Sequence, residues 1–156
     1  MKRIGLILLL FATFAVAAGD SSEAAHWTLA EMKAFENKLS QDPKTATDNP
    51  MLAILNFTKG HSVRRTSFGK SGIAEIHENG ADVFCMLTGE AEFIVGGEIV
   101  DPTTTNPGEI RGPRISGGIT KKVVTGDMII IPPGTAHQIM VAPGKRISFM
   151  VAKFAR

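Results

Sequence analysis

The sequence predicts an all-β domain, a sandwich or a barrel, and three observations carry that prediction. From residue 51 onward the chain breaks into short apolar and β-branched runs: "MLAILNF", "SVRRTSF", "GIAEIH", "DVFCML", "AEFIV", "KKVV", "DMIIIP", "AHQIMV" and "RISFMVAKF". Gly, Pro and Asn separate the runs, which is how turns punctuate strands. Within "GIAEIH" and "DVFCML" the side chains alternate with a period of two, as they do on a strand with one face toward a core.

With 156 residues and 44% hydrophobic content, the chain fits one domain with one core. Its first seventeen residues stand apart. "MKR", the apolar run "IGLILLLFATFAV" and the small residues that follow have the order of a secretory signal peptide, with cleavage expected after Ala17. The apolar run falls short of the roughly 20 residues that span a bilayer. The expected mature protein is therefore periplasmic or secreted and not held at the membrane. Cys85 is the single cysteine, so no intramolecular disulfide forms and the core must stabilise the fold alone. Removing Lys2 and Arg3 takes the 17 basic residues to 15, against 15 acidic ones, a formal charge of zero. No basic block with interleaved aromatics remains, which excludes nucleic acid as a partner.

Residues 18–50 read as a helical extension. Thr28 and Glu31 form a capping box, and Leu29, Met32, Phe35 and Leu39 recur at helical spacing until Pro43. That stripe is expected to pack on the outside of the domain or on a second subunit. His26 and Trp27, at the helix start, have no chemical companion and are read as packing residues.

The strand region from 51 to 156 holds the candidate site. Alternation places Ile73, Glu75 and His77 on one face of their strand. In the next strand it groups Asp82, Phe84 and Met86 against Val83, Cys85 and Leu87, so barrel closure can bring Asp82 toward Glu75 and His77. Cys85 reads as an inert core thiol. His137 follows a strand and a Pro-Pro-Gly turn, a rigid approach that suits a ligand. Two histidines and a carboxylate from different strands supply the facial triad of non-haem iron sites, and zinc or manganese could use the same atoms. From the residues alone, a pair of satisfied core histidines stands open beside that reading.

Two stretches together resemble the paired motifs of the cupin superfamily over most of residues 69 to 141. The first is Gly69, Glu75, His77, Asp82 and Gly89; the second is Gly126, Pro132, Gly134 and His137. The chain looks like the small exported bacterial single-domain cupins. The resemblance implies an antiparallel jelly-roll barrel, preceded here by the one N-terminal helix, with a divalent metal in its mouth and a homodimer as the assembly. Carried over by position, His77, Asp82 and His137 look like metal ligands. The family more often has histidine where this chain has Glu75, glutamate where it has Asp82, and asparagine where it has Val141. Glu75 is thus either a replacement ligand or a catalytic acid. Two imidazoles with two carboxylates favour manganese or ferrous iron, with zinc as the further candidate.

The stretch "DPTTTNPGEIRGPRISGGIT" separates the motifs, and loops this long without structure are uncommon unless functional. It reads either as a flap in which Arg111 or Arg114 grips a substrate carboxylate that Glu109 helps orient, or as a solvated hairpin with an internal Glu109 and Arg111 pair. His61 reads as a surface loop residue. Phe84, Met86, Phe93, Met140 and Met150 supply a pocket lining or a packed core. Two functions follow. One is a mononuclear-metal enzyme acting on a small oxygen-rich or acidic molecule as a dioxygenase, isomerase or lyase; the other is a small-ligand-binding module with a structural metal or none.

Overall fold

Alternating side chains and left-handed glycines cut the chain into strands. The computed structural model describes residues 51–56 and 62–155, with the single positions Thr28, Ala30 and Ala34. The expected signal peptide, the remainder of the helical extension with His26 and Trp27, and His61 lie outside the described residues. The strands are β1 (Met51–Asn56), β2 (Ser62–Phe68), β3 (Ala74–His77), β4 (Gly80–Thr88), β5 (Glu90–Val95), β6 (Glu98–Val100), β7 (Thr103–Asn106), β8 (Glu109–Gly112), β9 (Arg114–Ser116), β10 (Ile119–Val124), β11 (Met128–Ile131), β12 (His137–Met140) and β13 (Ile147–Ala155). From residue 51 on, the described part is all β, and the nine expected runs each hold a strand.

Two antiparallel sheets face each other. One has the order β1-β2-β13-β4-β11 and the other β10-β5-β12-β3-β8-β7, while β6 and β9 pair separately. The larger core lies where the two sheets meet, and Phe84, Phe93, Ile139, Ile147 and Phe149 are among its buried members. Phe84 packs edge-on against Phe93 at 5.2 Å and against Phe149 at 5.4 Å, a geometry that matches ring edge to ring face. Met86 is buried with them, whereas Met140 and Met150 are half-buried. Cys85 departs from expectation. It sits half-buried among Val83 and Leu87 on the opposite face of β4 from the core, because Asp82, Phe84 and Met86 take the inward positions.

The glycines of the two motifs explain themselves at the turns. Gly89 has φ of 81°, and a Cβ there would lie 2.6 Å from the Arg146 carbonyl oxygen, so only glycine turns β4 into β5 without moving β13. Gly134, with φ of 73°, donates its N–H to the His77 carbonyl at 2.9 Å and so ties the Pro-Pro-Gly turn to β3.

The largest correction concerns 101–120. This stretch is not a loop over the mouth but β7, β8, β9 and the first residues of β10. β7 and β8 do form a hairpin, and β8 then pairs with β3 in the register Glu75 opposite Arg111 and His77 opposite Glu109. Its prolines and glycines obscured three short strands whose Thr and Ile residues favour extended backbone.

Candidate metal centre

Strand register brings the candidate residues together from both sheets. On the six-stranded sheet, Glu75 lies opposite His137 on one side and Arg111 on the other, with His77 two residues along. On the five-stranded sheet, Asp82 is flanked by Ile131 of β11 and Lys153 of β13. Side chains from the two sheets converge at one end, lining a cavity of about 310 Å³. Its walls include Thr66, Phe84, Arg111, Gln138 and Phe149.

Glu75, His77 and His137 each offer a donor atom within 4.8 Å of the others. The two imidazole centroids are 5.4 Å apart. His77 and His137 are buried, at 6% and 2% exposure, and Glu75 is half-buried. Asp82 is also buried and near both rings. Its Oδ2 lies 3.4 Å from His77 Nε2 and 3.7 Å from His137 Nε2. The same carboxylate holds an ammonium: Lys153 Nζ donates to both Asp82 oxygens at 2.9 Å and to His77 Nε2 at 2.7 Å.

Both histidines are anchored through Nδ1. His77 Nδ1 lies 2.7 Å from Glu109 Oε2 and His137 Nδ1 lies 3.3 Å from the Thr135 carbonyl oxygen. A carboxylate and a carbonyl can only accept, so each Nδ1 donates and each neutral ring keeps its lone pair at Nε2. Metal-binding histidines are oriented in this way. His137 Nε2 is buried with no hydrogen-bond partner, one of two such side-chain atoms among the described residues, the other being Thr66 Oγ1 in the same cavity. A polar atom left unsatisfied in a core costs free energy unless something else fills its place.

The electrostatics separate the two rings. Burial holds the His137 pKa below its ordinary value despite the Asp82 carboxylate nearby, which keeps the lone pair available. Burial also disfavours charge on His77, as does the Lys153 ammonium, but Asp82 and Glu109 outweigh them and raise its pKa. Asp82 resists protonation, because contacts with His77 and Lys153 more than offset its burial.

Three participants were not foreseen as such. Glu109 and Arg111 contact the candidate ligands directly rather than each other alone: Glu109 holds His77, and Arg111 pairs with Glu75 as well as reaching Glu109 at 3.7 Å. Arg114 is exposed on β9. The third is Lys153, which is in phase with Phe149 and Val151 on the inward face of β13. Beside them, buried Gln138 accepts from the Ile115 N–H and donates to the Gly72 and Pro113 carbonyls, fixing β12 next to His137. Glu109→Ala should leave the fold intact and weaken metal affinity by about 10- to 100-fold, since it frees the His77 ring to rotate. Metal titration of the variant and parent checks this.

No family model matches the chain, and no curated protein matches it. Solved structures do. An uncharacterized conserved protein with a double-stranded β-helix domain from Klebsiella pneumoniae superposes with a TM-score of 0.56 at 17% identity, covering 85% of this chain and 91% of that one. The Cnp3 cupin domain of Schizosaccharomyces pombe gives 0.54 at 10% identity over 70% of this chain, which spans 66% of that structure. A predicted oxalate decarboxylase from Thermotoga maritima gives 0.52 at 17% identity, covering 69% and 81% of the two chains. At such identities the likeness is one of fold, and the fold is that of the cupin superfamily.

Proposed function

We propose that this cupin-fold chain is an exported metal-binding protein that acts enzymatically on a small oxygen-rich or acidic molecule. The observation that carries the reading is the pair of buried imidazoles, each tied at Nδ1 and each presenting Nε2 toward the mouth. His77, His137 and Glu75 would hold the ion. It would be ferrous iron, manganese or zinc, since imidazole and carboxylate donors suit all three. Bound there, the metal would supply Lewis acidity or access to dioxygen, consistent with a dioxygenase, isomerase or lyase. The rest falls to the chain's own residues. Arg111 borders the cavity beside Glu75 and can take a substrate carboxylate bidentately, while Phe84 and Phe149 exclude water from the inner wall. The size of the cavity fits a small molecule. A periplasmic or secreted location and a homodimer belong to the same proposal and rest on the leader-like N-terminus and the family resemblance.

One observation favours a second reading, a ligand-binding module without catalysis. Lys153 fills His77 Nε2 and pairs with Asp82 while Arg111 pairs with Glu75, so two of the three carboxylates at the mouth already have a cation without an ion. Elemental analysis of protein purified without added metal, followed by titration of the stripped protein with Mn²⁺, Fe²⁺ and Zn²⁺, separates the two. One equivalent bound is expected. Glu75→Gln should then cost at least about tenfold in affinity, because a neutral amide replaces an anionic donor. Retained affinity with lost turnover would make Glu75 a catalytic acid, and no binding of any of the three ions would leave the module.

A further inference from the structure

His77 Nε2 has one lone pair, which can accept one hydrogen bond or bind one metal ion but not both. In this structure the Lys153 ammonium has it, at 2.7 Å. We infer that Lys153 is the resident cation of the metal-free mouth, and that a divalent ion must eject it from His77 to bind. The inference rests on the metal reading above and adds to it an internal competitor.

The geometry is that of a built seat. β13 places Lys153 directly opposite Asp82 in the ladder, so the pair meets without distortion of either strand. Two oxygens of Asp82 and one ring nitrogen surround Nζ, using the three donors of an ammonium. Asp82 and His77 are buried, and the Lys153 side chain is 22% exposed. A divalent ion on His77 Nε2 would stand within a few ångströms of that ammonium, where like charges repel strongly for lack of water. Lysine can resolve the conflict because its flexible stem reaches solvent while its methylenes stay packed.

Ejection has a second consequence. The Asp82 carboxylate, already 3.4 and 3.7 Å from the two Nε2 atoms, loses its cation and becomes a further anionic donor beside the ion. The exchange thus turns the donor set of Glu75, His77 and His137 into one that includes Asp82. It also accounts for the unpartnered His137 Nε2, since a single ammonium seated on Asp82 satisfies one of the two rings.

Two measurements test the inference. Lys153→Met keeps the apolar stem and removes the ammonium. Stripped variant should bind Zn²⁺ at least about tenfold more tightly than stripped parent. In the parent, the Lys153 amine should acylate faster with acetic anhydride when Zn²⁺ is saturating, read by mass spectrometry against exposed Lys121 as the internal reference. A lysine that only adds charge to the mouth would stay hydrogen-bonded and protected. Parent that binds Zn²⁺ with Lys153 labelling unchanged overturns the inference and leaves the metal reading intact. That labelling decides the matter alone if the variant does not fold. Failure of both parent and variant to bind Zn²⁺, Mn²⁺ or Fe²⁺ overturns the metal reading and this inference with it, whereas binding by the variant alone supports both.

Discussion

Replacing His137 by alanine should abolish stoichiometric metal binding, with a loss of about a hundredfold or more in affinity. Changing an outer hydrogen-bond partner already costs 10- to 100-fold, so removing the donor itself costs at least that. His137 is the sharper of the two histidines to test, because its Nε2 makes no hydrogen bond and its removal breaks none beyond the one to Thr135. His77→Ala should lose the metal as fully but also strands Lys153 and Glu109, so its effect on the metal-free fold will be larger. Calorimetric titration with Mn²⁺ and Zn²⁺, alongside circular dichroism to establish folding, gives the comparison. A folded His137→Ala protein that binds as the parent does would remove His137 from the ligand set and favour the binding module.

The second large effect is on stability and needs no metal. Asp82→Asn should destabilise the metal-free protein by about 1–2 kcal/mol, since a buried carboxylate that accepts from Lys153 through both oxygens is replaced by a neutral amide while the partly exposed ammonium can turn to solvent. The pH dependence follows from the direction of the shift. The folded-state pKa of Asp82 is depressed, because contacts with His77 and Lys153 outweigh its burial. Its ionised form therefore contributes stability that is fully present above the unfolded-state value of about 3.9 and lost as pH falls through the lower folded-state value. Parent protein should weaken progressively below about pH 4 for this reason, and the Asn variant should lack that portion of the acid dependence. Urea denaturation at several pH values measures both quantities. Equal stability of parent and variant at neutral pH would mean that the Asp82–Lys153 pair makes no net contribution.

Glu109, Arg111 and Lys153 show where local reading stops. Glu109 and Arg111 sat in a stretch whose prolines and glycines spoke for a loop, and nothing local says that its strands pair with β3. Lys153 left a fainter trace: in "RISFMVAKF" it shares a face with Phe149 and Val151, and a lysine on the apolar face of a strand asks for a buried partner. Identifying that partner as Asp82 requires the β13–β4 register, which joins residues far apart in the chain.

By itself the sequence determined the all-β architecture from residue 51, the positions of nine strands, the inward face of β4 and the placing of Glu75, His77, Asp82 and His137 in the two cupin-like motifs. These are properties of period-two alternation, turn residues and short spacings, all of which act over a few residues. The tertiary structure alone decided that β7 and β8 line the mouth, that Glu109 orients His77, that Arg111 answers Glu75, and that an ammonium holds Asp82 and His77 together. The physical reason is that hydrogen bonds and ion pairs act within a few ångströms in space, and which groups come that close is set by strand pairing across the whole chain.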